Sequence, residues 1–201
     1  MFSLIQAAGW PIWFLIVASF VAVALIVERF LSLKRDKILP PSLLDEVLSL
    51  HRNRQISMDL LRKLSASSPL GRVLASGLRH EAGGRELMKE AMEETGRAVA
   101  HELERYLSAI GTIASAAPLM GLFGTVIGMI EIFGSQAPSG TDPQALAHGI
   151  SVALYNTAFG ILIAIPTLIS YRHFRARVDA LLVEMEQQSL RLVDTVMSAR
   201  R

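Results

Sequence analysis

Thr125, Thr157 and Asn156 are residues of chemically useful type in surroundings that offer them little company. Thr125 stands in the run Gly111–Ile130, Asn156 and Thr157 stand in the run His148–Pro166, and neither run contains an Asp, Glu, Lys or Arg. At the 1.5 Å rise of an α-helix, Thr125 lies about six residues, or ~9 Å, inside Glu131, and Thr157 lies about nine residues, or ~14 Å, inside His148. A hydroxyl in that setting has two uses. It can bond to the backbone carbonyl one turn earlier and so satisfy itself, or it can line a narrow polar path. Asn156 sits about 100° around the helix from Thr157 and has an amide that is harder to satisfy alone, which suggests a helix–helix hydrogen bond.

Neither run holds a carboxylate, since Glu131 and Asp142 belong to the outer rim. A proton relay through a membrane uses chains of Asp, Glu or His, and only His148 is at hand, near the outer mouth of its run. If protons cross here, another polypeptide must supply the titrating group. Other chemistries find no support. His101-Glu-Leu-Glu104 lacks the second histidine of a zinc-hydrolase helix, Gly121-Leu-Phe-Gly-Thr125 lacks the Lys-Ser/Thr ending of a phosphate loop, and the remaining histidines are scattered. Zero cysteines exclude disulfides and thiolate metal sites. The expectation is a protein that is not an enzyme and has no metal and no cofactor.

The elements that position these residues follow from where the charges fall. Phe2–Val27, Tyr106–Ile130 and Pro143–Tyr171 are free of Asp, Glu, Lys and Arg. Soluble helices of that length need a polar face, so three such gaps argue for lipid on all sides. Each run can cross a bilayer of roughly 30 Å. The expected fold is an all-α polytopic membrane protein with three transmembrane helices, at 10–33, 106–133 and 147–171. An outer segment, 1–9, precedes them; a cytoplasmic helical segment, 34–105, follows the first; a periplasmic turn, 134–146, joins the second to the third; and a cytoplasmic helix, 172–201, ends the chain. All twenty Lys and Arg residues fall within Arg29–Arg105 and Arg172–Arg201, so the positive-inside rule puts both blocks in the cytoplasm and the N-terminus outside. The basic residues are interspersed with acidic ones, which reads as a solvated surface and not a nucleic-acid footprint. The first run has no basic start, an apolar core longer than a secretory signal's, and no small-residue cleavage pattern, so it reads as a retained anchor.

Span one carries Trp10 and Trp13 near its outer end, as in an interfacial belt, and no strongly polar group at mid-membrane, so it reads as a lipid-facing wall. Spans two and three carry small residues at Gly121, Gly124 and Gly128 and at Ala153, Thr157, Gly160 and Ala164, which let helix backbones approach closely in lipid. Pro118 and Pro166 sit inside these spans, where they are expected to bend the helices and free carbonyls that neighbours must satisfy. In the cytoplasmic segment, Leu43, Leu44, Val47 and Leu48 follow helical spacing, as do Leu60, Leu61 and Leu64, with Pro40-Pro41 and Ser68-Pro69-Leu-Gly71 as punctuation. Gly83-Gly84 breaks the pattern. From Arg85 no Gly-Pro signal halts the next helix before span two, so one long rod into the membrane is expected. The tail shows a stripe at Val178, Leu181, Leu182, Met185, Leu192 and Val196, which predicts that span three continues into a cytoplasmic helical bundle.

Ala117-Pro-Leu-Met-Gly-Leu-Phe-Gly-Thr-Val-Ile-Gly-Met129, Thr157-Ala-Phe-Gly-Ile-Leu-Ile-Ala-Ile-Pro166, the Glu28-Arg29 end of span one and the long cytoplasmic segment together resemble the ExbB/TolQ proton-channel subunits, and more distantly the flagellar stator subunit MotA. Three spans rather than four favour ExbB/TolQ. The resemblance implies a homo-oligomeric ring, a pentamer in that family, in the bacterial inner membrane. Such a ring encloses the single transmembrane helix of an ExbD- or TolR-like partner whose aspartate supplies the missing carboxylate. It places Thr125 and Thr157 on the pore-facing surface opposite that aspartate. It also implies that proton motive force drives the partner and energises a TonB- or TolA-like protein across the periplasm, with TonB-dependent transport preferred over the Tol-Pal system. The family often carries a glutamate near the start of span three, in Ile-Ala-Glu-Ala-Leu; the matching string is Ile150-Ser-Val-Ala-Leu154, with Val152 in its place, so that residue's proton role does not carry over. The rivals are a passive scaffold for a single-span partner and a self-contained channel.

Overall fold

The computed structural model describes residues 9–134 and 143–198, with Ala145 described in its backbone alone. The segment 1–8, Asp142 and most of the 134–146 turn lie outside the described residues. Every regular element among the described residues is helical. In chain order these are α1 (Pro11–Ser32), α2 (Arg35–Ile38), α3 (Leu43–Arg52), α4 (Met58–Ser67), α5 (Pro69–Arg79), a 3-10 turn (Glu81–Gly83), α6 (Arg85–Leu103), α7 (Leu107–Gly134) and α8 (Pro143–Ser198). Three helical stretches are long and apolar enough to cross a membrane, in agreement with an all-α polytopic protein.

The chain divides into two compact units. The first, Met1–Arg29 with Tyr106–His173, holds α1, α7 and the first part of α8. On α1 a narrow stripe of Ile12, Leu15 and Ala22 is buried, while Trp13, Phe14, Val17, Phe20, Val23 and Val27 are exposed, as is Trp10 just before the helix. Large apolar side chains on an outer face are what lipid solvates and water does not, so the lipid-facing wall expected from the sequence fits. Leu15 packs with Ala117 and Ala164, flanked by Met120, Phe159 and Ile163. Both α7 and α8 run through their internal prolines, Pro118 and Pro166, as uninterrupted helices.

The second unit, Phe30–Arg105 with Phe174–Arg201, is a helical bundle. Its buried residues include Leu44 and Val47 on α3, Leu61 and Leu64 on α4, and Val178, Leu181, Met185, Leu192 and Val196 on α8, all of which the spacing predicted; Leu43, Leu48, Leu60 and Leu182 are half-buried, and Val193 is buried beside the predicted stripe. Ser68-Pro69-Leu-Gly71 is more than punctuation. Ser68 Oγ accepts the Gly71 amide at 3.0 Å, Pro69 occupies the first helical turn, and α5 follows with Leu70, Val73, Leu74, Ala75 and Leu78 buried. Gly84, at φ +92°, starts α6 after the expected break.

One expectation is overturned. The rod from Arg85 into span two is broken: α6 ends at Leu103, and Tyr106 adopts φ +65° before α7 begins at Leu107. The Glu104 amide still bonds back to Ala100 O at 2.9 Å, and Tyr106 O accepts the Ile110 amide at 3.0 Å, so one left-handed residue ends one helix and starts the next. Sequence offers no Gly, Asn or Pro there; an aromatic residue takes a conformation usually left to glycine.

Candidate functional site

The site is built where α7 and α8 run antiparallel at close range. A methyl group on Gly121 would meet Asn156 O at 2.6 Å and Thr157 Cα at 3.0 Å, and one on Gly160 would meet Ala117 O at 2.5 Å and Gly121 Cα at 3.1 Å. These contacts are with backbone, which cannot step aside. Toward the Glu131 end, Gly128 faces the Ala153 Cβ at 3.0 Å, and Gly124 faces the side chain of Asn156. At all four glycines a side chain would crowd the facing helix. Asn156 is 1% exposed, and its side chain is seated on Gly124 of the facing helix.

Close approach brings the threonines together. The Thr125 and Thr157 hydroxyl oxygens lie 2.6 Å apart, and the Thr125 oxygen is also 3.2 Å from Gly121 O and 3.1 Å from Ala153 O. A hydroxyl has one proton to give and two lone pairs to receive with. Thr125 can therefore donate to a carbonyl of its own helix or of the facing helix while it accepts from Thr157, or it can itself donate to Thr157. Thr125 does reach the carbonyl one turn earlier, the first of the two uses read from the sequence, and it also pairs with Thr157. The Ala153 carbonyl is a partner that residue types could not reveal.

Thr125 and Thr157 are half-buried, whereas Gly121, Gly124, Ala153, Asn156 and Gly160 are buried. The pair thus lies at the edge of the helix contact. Leu122, Val126, Leu154 and Ile161, within one turn of the two threonines, are exposed. What results is an apolar surface interrupted by two hydroxyls, the two-hydroxyl notch of this face.

Glu131 and His148 share a second place. They line a recess of about 440 Å³ together with Asn156, Val152, Ile127 and Gly9, and neither threonine lines it. The structure thus brings Thr125 to Thr157, and Glu131 to His148, without merging the two sets. Val152 lies on the wall of this recess, one turn from both His148 and Asn156. Among the described residues no cluster of three or more His, Cys, Asp or Glu could hold a metal ion.

At the other end of the first unit, a residue that the sequence marked only as part of the resemblance, with no role of its own, is buried. Arg29 is 5% exposed, its Nη2 donates to Glu28 Oε1 at 2.7 Å, and its guanidinium carbon lies 5.3 Å from the centre of the Tyr106 ring. A buried arginine is rare unless paired, and a charge at the end of a span is a signal that was available but was read only as the edge of a basic block and as part of the resemblance.

Comparison with known proteins agrees with this architecture. Residues 65–187 match the family described as MotA/TolQ/ExbB proton channel family. The ExbB-like 3 biopolymer transport protein of Synechocystis sp. is 31% identical over 161 residues, 79% of this chain and 77% of that protein. The biopolymer transport protein exbB1 of Vibrio cholerae is 29% identical over 186 residues, 90% of this chain and 82% of that protein. The Tol-Pal system protein TolQ of Pseudomonas aeruginosa is 41% identical over 85 residues, which is 40% of this chain and 36% of that protein.

Proposed function

The chain belongs to the MotA/TolQ/ExbB proton channel family, and on that premise we propose that it is the ring-forming subunit of an inner-membrane motor that spends proton motive force through a partner. In this reading several copies, five by the family's pattern, enclose the single transmembrane helix of an ExbD- or TolR-like protein. The partner's aspartate faces the Thr125–Thr157 notch. The observation that carries the reading is the 2.6 Å hydroxyl pair on an apolar, half-open helix face that has no carboxylate of its own.

The chemistry then divides between two chains. The partner's carboxyl group takes up and releases the proton, because it alone can change charge. The threonine hydroxyls offer that carboxylate hydrogen bonds in a setting with little water, and as donor and acceptor at once they can hand a proton along without ionising. Gly121 and Gly160 hold the helices close enough for the pair to form. Each proton moved down the membrane potential releases ~2.3 kcal/mol per 100 mV, which becomes work only if every proton must pass this point. The second unit and the C-terminus lie on the cytoplasmic side and the N-terminus on the periplasmic side, following the placement of basic residues. The outer span ends lead to Glu131 and His148 at the mouth.

We place the chain on the branch that energises a TonB-like protein for transport across the outer membrane, because two relatives named ExbB align over 79% and 90% of it, whereas another ExbB aligns over 40% and two TolQ proteins over 39% and 40%. The Tol-Pal system is the alternative reading, supported by the 41% identity within that shorter stretch. Adjacent genes separate the two: a TonB gene supports the first, TolR, TolA and TolB genes the second. For the channel itself, proton uptake into vesicles holding this chain and its single-span partner should fall at least about tenfold in Thr157→Val. Equal leakage from native and variant vesicles, with or without the partner, would leave a passive scaffold as the better account.

A further inference from the structure

Tyr106 poses a question that the proton path does not answer. A left-handed backbone costs a residue with a side chain roughly 1–2 kcal/mol, and glycine or asparagine would turn the chain more cheaply. What a tyrosine brings to that position, and glycine does not, is its ring. The ring lies under Arg29, whose guanidinium is withdrawn from solvent at the end of α1 and is held from the other side by Glu28. An arginine over an aromatic face is an attractive pair, and it strengthens as water is excluded.

We propose that Arg29 and Tyr106 form an axial lock on α7, which makes both of them positioning residues for the Thr125–Thr157 pair. Tyr106 O accepts the first helical amide of α7, from Ile110, so the backbone angles at Tyr106 set the rotational phase with which the helix starts. Leu107 and Ile110, just beyond, are fully buried, and a methyl group on Gly111 would meet the Tyr171 ring of α8 at 3.1 Å, so the phase is passed to the packing at the start of α7. A helix is stiff about its own axis, and Thr125 is five turns further on. A rotation of 20° moves an atom ~4 Å off the axis by ~1.4 Å, enough to break a 2.6 Å hydroxyl contact. Holding the ring fixes the phase; fixing the phase keeps the hydroxyls in register. The claim about proton flux rests on the proposed channel function, whereas the claim about register does not.

The experiment separates the two. Because the chain has no cysteine, Thr125→Cys and Thr157→Cys can be introduced as a single reporter pair, and mild oxidation in native membranes reads the register directly. Arg29→Gln and Tyr106→Leu should each slow disulfide formation at least about fivefold, Tyr106→Phe should leave it unchanged because the ring face remains, and Arg29→Lys should fall between. Tyr106→Gly guards against misfolding: glycine takes the backbone angle freely, so this variant inserts normally yet loses the lock. Without the cysteines, Arg29→Gln and Tyr106→Gly should lower proton uptake about tenfold or more while co-purification with the partner stays intact. Unchanged cross-linking in both Arg29→Gln and Tyr106→Gly would overturn the lock. If cross-linking slows as expected but flux does not respond, or if Thr157→Val conducts normally, the lock stands and the channel reading fails.

Discussion

A hydroxyl is neutral at any pH a cell reaches, so the Thr125–Thr157 pair can orient and pass a proton but cannot store one. That difference predicts how the two positions respond to substitution. Thr157→Ser keeps the hydroxyl and should retain most proton uptake in vesicles, whereas Thr125→Val and Thr157→Val should each lose it. Stability should hardly change in any of these, because a helix-to-helix hydrogen bond in lipid is worth only ~0.6 kcal/mol on average and Thr125 has two carbonyls within reach. A thermal melt of the detergent-solubilised protein run beside the flux assay checks both statements, and a Thr157→Val protein that melts many degrees lower would assign the residue to folding instead. The threonines and Asn156 were legible in the sequence because a polar letter in an apolar run has to be explained. The Ala153 carbonyl was not, since every residue owns one and only the fold shows which is left facing a hydroxyl. Arg29 and Tyr106 escaped for another reason: each looks ordinary beside its neighbours, and their importance lies in meeting across 77 residues of chain.

At the scale of elements, α7 and α8 are held by what they lack. Gly121→Ala would press a methyl group into backbone at 2.6 Å, an overpacking that typically costs ~1–3 kcal/mol, and should lower the melting temperature along with the flux. Gly96, in the middle of α6, meets nothing within 4 Å, so Gly96→Ala should stabilise the helix by ~0.5–1 kcal/mol and leave flux alone. Opposite outcomes at two helical glycines test close approach against mere glycine content. The second unit has its own marker in the Arg35–Glu184 pair, in which Arg35 Nε donates to Glu184 Oε2 at 3.1 Å and the second guanidinium nitrogen bonds the other oxygen. The hydrogen bond from Arg35 holds the Glu184 carboxyl below the usual glutamate range. A depressed carboxyl stabilises the fold above its unfolded-state pKa and loses that contribution as pH falls through the folded value. Thermal melts should therefore show a loss of stability on acidification below the ordinary glutamate range that is smaller in Glu184→Gln. Identical acid profiles would deny the pair any part in holding this bundle. The helices and their buried stripes were readable from spacing, because Val178, Leu181 and Met185 recur at helical intervals. The break at Tyr106 was not, because no residue there signals a turn; a tertiary contact accompanies it.

The whole molecule is a three-span membrane protein whose first unit exposes apolar helix faces and whose second is a charged bundle. Its family membership and its fold were legible from the charge-free runs and the Ala117–Met129 string, since both are written in consecutive residues. Copy number and partner are properties of surfaces that meet other chains, so a single sequence holds only half of each interface. A native mass measurement on complexes purified from membranes should find several copies of this chain with a smaller number of a single-span, aspartate-bearing protein; a monomer would remove the ring. The central claim is that this chain supplies the hydroxyls and another supplies the acid. Its most direct test is the initial rate of proton uptake, under an imposed potential, into vesicles holding this chain alone and vesicles holding it with the partner. The account predicts background uptake for the chain alone and rapid uptake for the pair; full-rate uptake by the chain alone would contradict it.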